Sequence, residues 1–255
     1  MQSSEGELSR NAISGNEISR KEVWKMFDNI SSTYDMVNRI LSFGIDKLWR
    51  RVLASKIPKK KSLHVLDCAT GTGDQIFSLF QKNPSLGTAV GIDLSHEMLE
   101  IAKKKVKKRP YGSHITFQEA SALSIPYSAN TFDAATISFG IRNVVDVKGA
   151  LQEMHRVLVP HGKALILEFS KPKNRILRFF HSLYLKNVLP FVGGIFSRNK
   201  EAYTYLQKTI DTFPCGEAFC QIMKEAGFFE VKAYPLTGGI ATLYEGVKSE
   251  YSTDL

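Results

Sequence analysis

The chain has 255 residues, 43% of them hydrophobic and 23% charged, with a formal net charge of +9. That size and balance suit one large globular domain and exclude a fibrous, disordered or disulfide-scaffold protein. The positive charge is compatible with nucleic acid, an anionic membrane surface or an acidic substrate, and selects none of them.

Residues 1–20 are rich in Ser, Asn and Glu and lack an apolar h-region, so they read as a weakly ordered N-terminus and not as a secretory signal. No run of about 20 apolar residues occurs, so no bilayer-spanning helix is expected. Cys68, Cys215 and Cys220 are odd in number and lack C-x-x-C spacing. A reducing compartment fits them better than a disulfide framework, and no metal site is expected.

Between 21 and 57, apolar residues recur at helical spacing: Val23, Trp24, Met26, Phe27, Ile30, Tyr34 and Val37, then Leu48, Trp49, Val52 and Leu53. Two or three helices therefore precede the first strand. They cover the sheet, and their aromatic stripe can also cap a ligand.

The run Val65-Leu66-Asp67-Cys68-Ala69-Thr70-Gly71-Thr72-Gly73-Asp74 organises the rest. A strand ends in an acid, small residues turn the chain, and a helix follows from Gln75. This is how an open α/β sheet turns backbone N–H groups toward a ligand. Gly71 and Gly73 permit positive φ and close approach, although a glycine pair alone is also a plain turn. The second strand, Thr88 to Ile92, ends at Asp93, twenty residues past Gly73. An acid there suits ribose hydroxyls; its local alternative is a cap for the helix after Ser95.

The third small residue of a dinucleotide fingerprint is absent, because Ile76 stands there. The Gly-Lys-Ser/Thr of a P-loop is absent too. Asp67 and Asp74 suit the cationic amino group and sulfonium of S-adenosylmethionine better than a pyrophosphate. Asp67, Gly71, Gly73 and Asp93 are thus candidate cofactor residues.

Ser95 caps a helix over Glu97 to Lys108, whose lysine-rich end reads as a solvated basic face, because no aromatics are interleaved for stacking on bases. A third strand covers Ile115 to Gln118, with the small residues Ala120-Ser121-Ala122 after it. A fourth runs from Phe132 to Ser138 and ends at Phe139-Gly140-Ile141-Arg142-Asn143. A helix over Val147 to Leu158 closes at Pro160-His161-Gly162, and Ala164 to Phe169 forms a fifth strand. Residues 171–215 are an aromatic, basic helical insertion. A last helix, Ala218 to Ala226, stops at Gly227. Two strands, Phe229 to Pro235 and Ile240 to Val247, share so short a link that they pair antiparallel. The expected fold is a doubly wound, seven-stranded, mostly parallel Rossmann-like sheet, ending as class I methyltransferases do. The organisation is a single domain over 21–248 with a tail at 249–255.

Several segments together resemble the ubiquinone/menaquinone biosynthesis C-methyltransferase family (UbiE/MenG), from about Val23 to Lys248. They are Tyr34-Asp35-Met36-Val37-Asn38 with Leu41 to Ile45 and Trp49, then Ile137 to Asn143, Arg156-Val157-Leu158 to Glu168-Phe169-Ser170, and Tyr203 to Leu206 with Phe213-Pro214. The resemblance implies S-adenosylmethionine-dependent methylation of a ring carbon on a prenylated quinol, either demethylmenaquinol or the equivalent ubiquinol precursor. By position it carries cofactor contacts to Thr72, Asp93, Ser121, Ala122 and Ser138. The chain departs from the family pattern at Asp46, commonly His, at Val159 and His161, and at Ala69-Thr70, which replace a first glycine.

The chemistry needs an aligned carbon nucleophile in a dry pocket, a base or relaying water for the quinol hydroxyl, and a cation near the developing oxyanion. Arg142 suits the cation; its alternative is an ion pair with Asp146. Asn143 suits a hydroxyl-orienting role; its alternative is a helix cap. Glu168 is a candidate base or a partner for Arg142. Tyr34, Asp35 and Asn38 border the substrate pocket from one side, and Tyr203 and Tyr205 from the other, with core packing the simpler account of each tyrosine.

A lipid-tailed substrate implies a cytoplasmic protein, peripheral at the inner membrane face through 175–196. Nucleic acid is not an expected partner, and a homodimer stays open. The competing readings are a methyltransferase for another small phenolic or lipid acceptor, and a non-catalytic α/β binding module.

Overall fold

In the computed structural model of the chain, the described residues are 42–188, 200–250 and nine positions in helical backbone before them (Val23, Lys25, Asp28, Ser31, Asp35, Met36, Asn38, Arg39 and Ile40). Side chains of 200–204 are outside that description. The sheet has seven strands in the order β3-β2-β1-β4-β5-β7-β6. They are β1 (His64–Cys68), β2 (Thr88–Asp93), β3 (Ile115–Glu119), β4 (Phe132–Ser138), β5 (Leu158–Phe169), β6 (Phe228–Leu236) and β7 (Ala241–Lys248). Neighbours run parallel from β3 to β5; β7 is antiparallel to both β5 and β6. The expected mostly parallel sheet with a closing antiparallel hairpin is what forms. The order reverses between β1 and β4, where the loops after the two strands diverge and leave a crevice.

Period-two alternation in the strands feeds two apolar layers. Leu66, Cys68, Ile92, Ile137 and Ile166 face α4 (Val147–Val157) and α7 (Glu217–Glu225). Val65, Ala89, Ala134, Leu165 and Leu243 face α1 (Ile45–Ala54) and α2 (Asp74–Lys82). In α1 the apolar stripe Trp49, Leu53 and Ala54 is buried, as its spacing predicts, while Leu48 is left 57% exposed. The Trp49 indole donates to Thr237 Oγ1 at 2.8 Å, tying this helix to the β6–β7 link.

The helix α3 (His96–Val106) starts at Ser95, whose hydroxyl accepts from Met98 N, as expected. Gly227, at φ 103, ends the last helix region in the left-handed conformation that glycine tolerates. The largest boundary difference from the sequence reading is at the start of β5, the others being one or two residues. Pro160-His161-Gly162 lies within β5, because Leu158 already pairs with Phe132 and Lys163 next pairs with Ala134, so the residues between them bulge out. The bulge removes the ladder bond that Pro160 lacks the N–H to make. The described part of the insertion is largely helical, with α5 (Arg175–Leu183), a π turn over Tyr184–Val188, and α6 (Lys200–Thr212); its residues 189–199 lie outside the described residues. Among the described residues no helix is long and apolar enough to cross a membrane.

Candidate active site

The C-terminal ends of β1, β2 and β4 open into one cleft. Ala69, Gly71, Asp93, Ser121, Ala122, Ser138 and Asn143 line it, and Val23, Leu94, Met98 and Leu123 supply apolar walls. A smaller cavity adjoins it across the glycine loop, lined by Asn38, Arg50, Thr70, Gly71, Thr72 and Ser138.

Tight local backbone builds this crevice. Ala69, Gly71 and Gly73 have φ of 46, 55 and 85, and Phe139, directly after β4, has φ of 60. An aromatic residue at positive φ is strained, and here the strain sits beside the cleft. Phe139 is held by its N–H on Leu167 O at 2.7 Å and by ring contacts with Trp49 and Phe169. A Cβ on Gly71 would meet no atom within 4 Å, so the space it leaves belongs to the cleft. At Gly73 a Cβ would press on the Phe77 and Phe117 rings at 3.0 and 3.1 Å. Gly73 is therefore a packing requirement behind the loop and not a lining residue.

Asp67 lies beneath the loop, 1% exposed, and does not line the cleft. Thr70 Oγ1 donates to it at 2.7 Å and Thr136 Oγ1 at 2.5 Å, so it fastens the loop to β4. Burial outweighs these bonds and pushes its carboxyl up to about 6. Asp93 opens on the cleft. One oxygen accepts from Gly71 N at 2.7 Å and the other from Ser95 N at 2.9 Å, which leaves lone pairs on both. Burial raises its carboxyl as well, partly offset by those backbone N–H groups. Ser138 donates to Gln75 Oε1 at 3.0 Å, and Ser121 accepts from Leu123 N.

Arg142 is 4% exposed. Its guanidinium donates to Glu168 Oε1 at 2.7 Å and to the Phe139 carbonyl at 2.6 Å, and stacks 5.4 Å from the Phe169 ring centroid. The alternative ion pair with Asp146 does not form, because Asp146 is the N-cap of α4 and accepts from Gly149 N. That also rules out the alternative cap role for Asn143, which sits in the 3-10 turn Ile141–Asn143. Asn143 lines the cleft with a buried Oδ1 that has no hydrogen-bond partner. Glu168, the candidate base, is 1% exposed and engaged by Arg142 and by Phe169 N, so it serves as the arginine's partner.

The basic end of α3 corrects one expectation. Lys105 turns inward and bonds Asp35 at 2.8 Å, Thr72 Oγ1 at 3.0 Å and Asp74 at 2.6 Å, while Arg39 bonds Asp74 and Asp46. This latch clamps the N-terminal helical residues onto the glycine loop. Burial alone would raise the Asp74 carboxyl, but Lys105, Arg50 and Arg39 hold it below its ordinary range. The latch was hidden because Lys105 reads in sequence as one of a row of solvated lysines. Thr72 donates to Asp35 within it.

Tyr34 lies outside the described residues, as does the Tyr203 side chain. Tyr205 is half-buried on α6, which packs on the Ile141–Asn143 turn. The cleft matches a nucleoside cofactor, with a carboxylate at the end of β2, small residues after β3 and a glycine whose missing Cβ leaves room. Of the two acids expected to meet its cationic end, Asp67 is buried beneath the loop and Asp74 is held by Lys105 and Arg39.

Residues 15–248 match the model of the ubiE/COQ5 methyltransferase family. The chain is 44% identical over 228 residues to a protein of Geotalea uraniireducens named ubiquinone/menaquinone biosynthesis C-methyltransferase UbiE, covering 89% of this chain and 97% of that one. It is 47% identical over 223 residues to the Citrifermentans bemidjiense protein of the same name, covering 88% and 94%. Among solved structures, phosphoethanolamine N-methyltransferase 2 of Haemonchus contortus in complex with S-adenosyl-L-methionine superposes with a TM-score of 0.66. Its identity is 16%, over 92% of this chain and 61% of that one. The CurJ carbon methyltransferase gives 0.62 at 12% identity, over 92% and 62%. At such identities these two show the fold alone.

Proposed function

This chain belongs to the ubiE/COQ5 methyltransferase family, and from that membership we infer how its own residues methylate a quinol. It is an S-adenosylmethionine-dependent C-methyltransferase of ubiquinone/menaquinone biosynthesis. The observation that carries the assignment of residues is the crevice between the ends of β1, β2 and β4, where Gly71, Asp93, Ser121, Ala122, Ser138 and Asn143 face one space.

When bound, the cofactor supplies an electrophilic sulfonium methyl. Asp93 takes the ribose hydroxyls on its free lone pairs, and its existing bond to Gly71 N keeps the loop at the right height. Ser121 and Ala122 leave a flat seat for the adenine. Gly71 admits the close approach, while Thr72, Gly73 and Asp67 act through the loop: Thr72 by tying it to Asp35, Gly73 by its φ, Asp67 from below. Ser138 holds Gln75 against the same wall.

On the acceptor, a ring carbon becomes nucleophilic when the neighbouring hydroxyl passes its proton to a water, since Glu168 is already held by Arg142 and Phe169 N. Asn143 presents its unpaired oxygen to that hydroxyl and fixes the ring. Arg142 stands behind the lining, paired with Glu168 at 2.7 Å, and its buried Nε–H, which has no acceptor, biases the site toward the phenolate. Asn38 closes the pocket from the N-terminal helical residues and Tyr205 from α6, while Tyr34 and the Tyr203 side chain lie outside the described residues. The acceptor class is a prenylated quinol, either the menaquinone or the ubiquinone precursor.

Access to a lipid-tailed acceptor is peripheral. On α5, Ile176, Phe179, Phe180 and Leu183 fall on one helical face and are 70, 64, 60 and 48% exposed. Arg175 and Lys173 flank it, and the net charge of +9 favours anionic lipid. Phe179→Ser/Phe180→Ser should abolish sedimentation with anionic liposomes while the circular dichroism stays unchanged; undiminished sedimentation overturns this docking face.

The reaction is tested by methyl transfer from labelled S-adenosylmethionine to reduced demethylmenaquinol and to the demethylated ubiquinol precursor in detergent. Transfer to either, lost in Asp93→Ala, supports the assignment and selects the route. Cofactor binding without transfer to either removes the quinol and favours another phenolic acceptor.

A further inference from the structure

A second depression, of about 400 Å³, opens on the other side of the glycine loop, among α1, α2 and the end of α3. Its wall is strongly basic. Lys47, Arg50 and Arg51 come from α1, Arg109 follows α3, and Arg39 and Lys105 reach it from the latch. Its two acids are already committed: Asp35 to Lys105 at 2.8 Å, and Asp74 to Lys105 and Arg39 at 2.6 and 3.2 Å. The side chains of Lys47, Arg50, Arg51 and Arg109 enter no hydrogen bond or ion pair among the described residues. Arg109 rests on the Phe77 ring and Arg50 on the Phe139 ring, so both forks are positioned without an acceptor.

Two orphaned buried groups point the same way. Ser78, on α2, lines this depression at 8% exposed, and its hydroxyl has no partner. Arg50 Nε is also buried and without an acceptor. A buried hydroxyl left unpaired costs about 1–3 kcal/mol, so such groups ordinarily have partners. Lys47, Arg51 and Arg109 around one hollow, with Arg50 only partly offset by Asp74, repel each other as well. A ligand that offers only acceptors and carries more than one negative charge relieves both penalties. Phosphate oxygens do so, and guanidinium forks match them in two-pronged fashion.

We propose that this groove is a binding site for a phosphate-bearing anion, held by Ser78, Arg50, Arg51 and Arg109 with Lys47 at the rim. The groove lies outside the methyl-transfer cleft, and of the residues proposed to hold the anion only Arg50 also lines the small cavity that adjoins that cleft. The inference does not depend on which acceptor is methylated. The phosphate belongs either to a soluble anion or to a lipid headgroup; Leu48 and Lys47 lie exposed together on α1, beside the groove.

The test uses the full chain, with inorganic pyrophosphate titrated calorimetrically. In parallel, the protein is sedimented with vesicles of phosphatidylcholine alone and with phosphatidylglycerol added. Two variants are compared: Lys47→Gln/Arg51→Gln/Arg109→Gln, and Ser78→Ala. The triple variant removes charge. Ser78→Ala removes one buried hydroxyl, a change that diffuse electrostatic attraction does not sense. Pyrophosphate affinity reduced about tenfold or more by the triple variant, and several-fold by Ser78→Ala, with S-adenosylmethionine affinity unchanged, supports the site and makes its ligand soluble. Loss of phosphatidylglycerol vesicle binding in both variants, without pyrophosphate binding, supports the site and makes its ligand a headgroup. The proposal is overturned if the unaltered protein binds neither, if Ser78→Ala matches it in both assays, or if S-adenosylmethionine displaces pyrophosphate competitively.

Discussion

Glu168→Leu should destabilise the protein by about 3–5 kcal/mol, because it strands Arg142 as an uncompensated buried charge. The two side chains are 1% and 4% exposed and meet at 2.7 Å. Their attraction at an effective dielectric of about 20 is about 6 kcal/mol, and desolvation of both ions offsets most of it. With Glu168 gone, Arg142 keeps only the Phe139 carbonyl and the Phe169 ring. Arg142→Met should cost a similar amount, by leaving Glu168 with only its bonds to backbone N–H groups. The double variant replaces the pair by apolar side chains of similar bulk, so it should recover to within about 1 kcal/mol of the original. Equilibrium urea unfolding of the four proteins measures the cycle. Methyl transfer on the same proteins then separates folding from chemistry: the double variant should remain folded but lose about 10²–10³ in kcat, the scale of one preorganised charge at a developing oxyanion. Additive or sub-1 kcal/mol single effects would refute the buried-pair argument. Full turnover in the double variant would make Arg142 a structural residue only.

Asp67 gives a pH signature. Its folded carboxyl titrates near 6, above its usual 3.8. The native state therefore holds the extra proton between these values, and stability falls as pH rises from about 4 to about 6, by about 3 kcal/mol at most. Asp67→Asn should flatten that part of the profile in urea unfolding; an unchanged slope refutes the assignment. Gly71→Ala places a Cβ in the cleft at φ 55, and should weaken S-adenosylmethionine binding at least about tenfold with a stability cost near 1 kcal/mol; unaltered calorimetric affinity counts against the cleft. Lys105→Met removes the shared partner of Asp35 and Asp74. Limited proteolysis should then cut faster near residue 35, and equal rates would show that the latch does not hold that segment.

Local signals sufficed for elements whose cause is local. Alternating strand burial, the Ser95 cap, the glycine turn after β1 and the short β6–β7 link each depend on neighbours a few residues apart, so their positions follow from the chain itself. Asp93 was legible too, because it ends the strand that follows the glycine turn, as were Ser121 and Ala122, small residues just after β3, whereas Ser138 came from the family resemblance. Of the partnerships, the sequence left Arg142 open between Glu168 and Asp146 and did not show the others. Arg142 bonds Glu168 and not Asp146, because β4 and β5 are neighbours in the sheet while Asp146 is claimed by the N-terminus of α4. Lys105 leaves its row of lysines because the glycine loop and the N-terminal helical residues bring Asp74 and Asp35 within 2.8 Å of it. Asp67 looked like a ligand residue and is instead a buried fastener, since Thr136 of β4 reaches it from beneath. Spacing along the chain determined where the crevice lies. The approach of side chains far apart in sequence, each competing for a limited set of partners, decided which charges face it, which are neutralised below it, and which stay unsatisfied in the groove beside it.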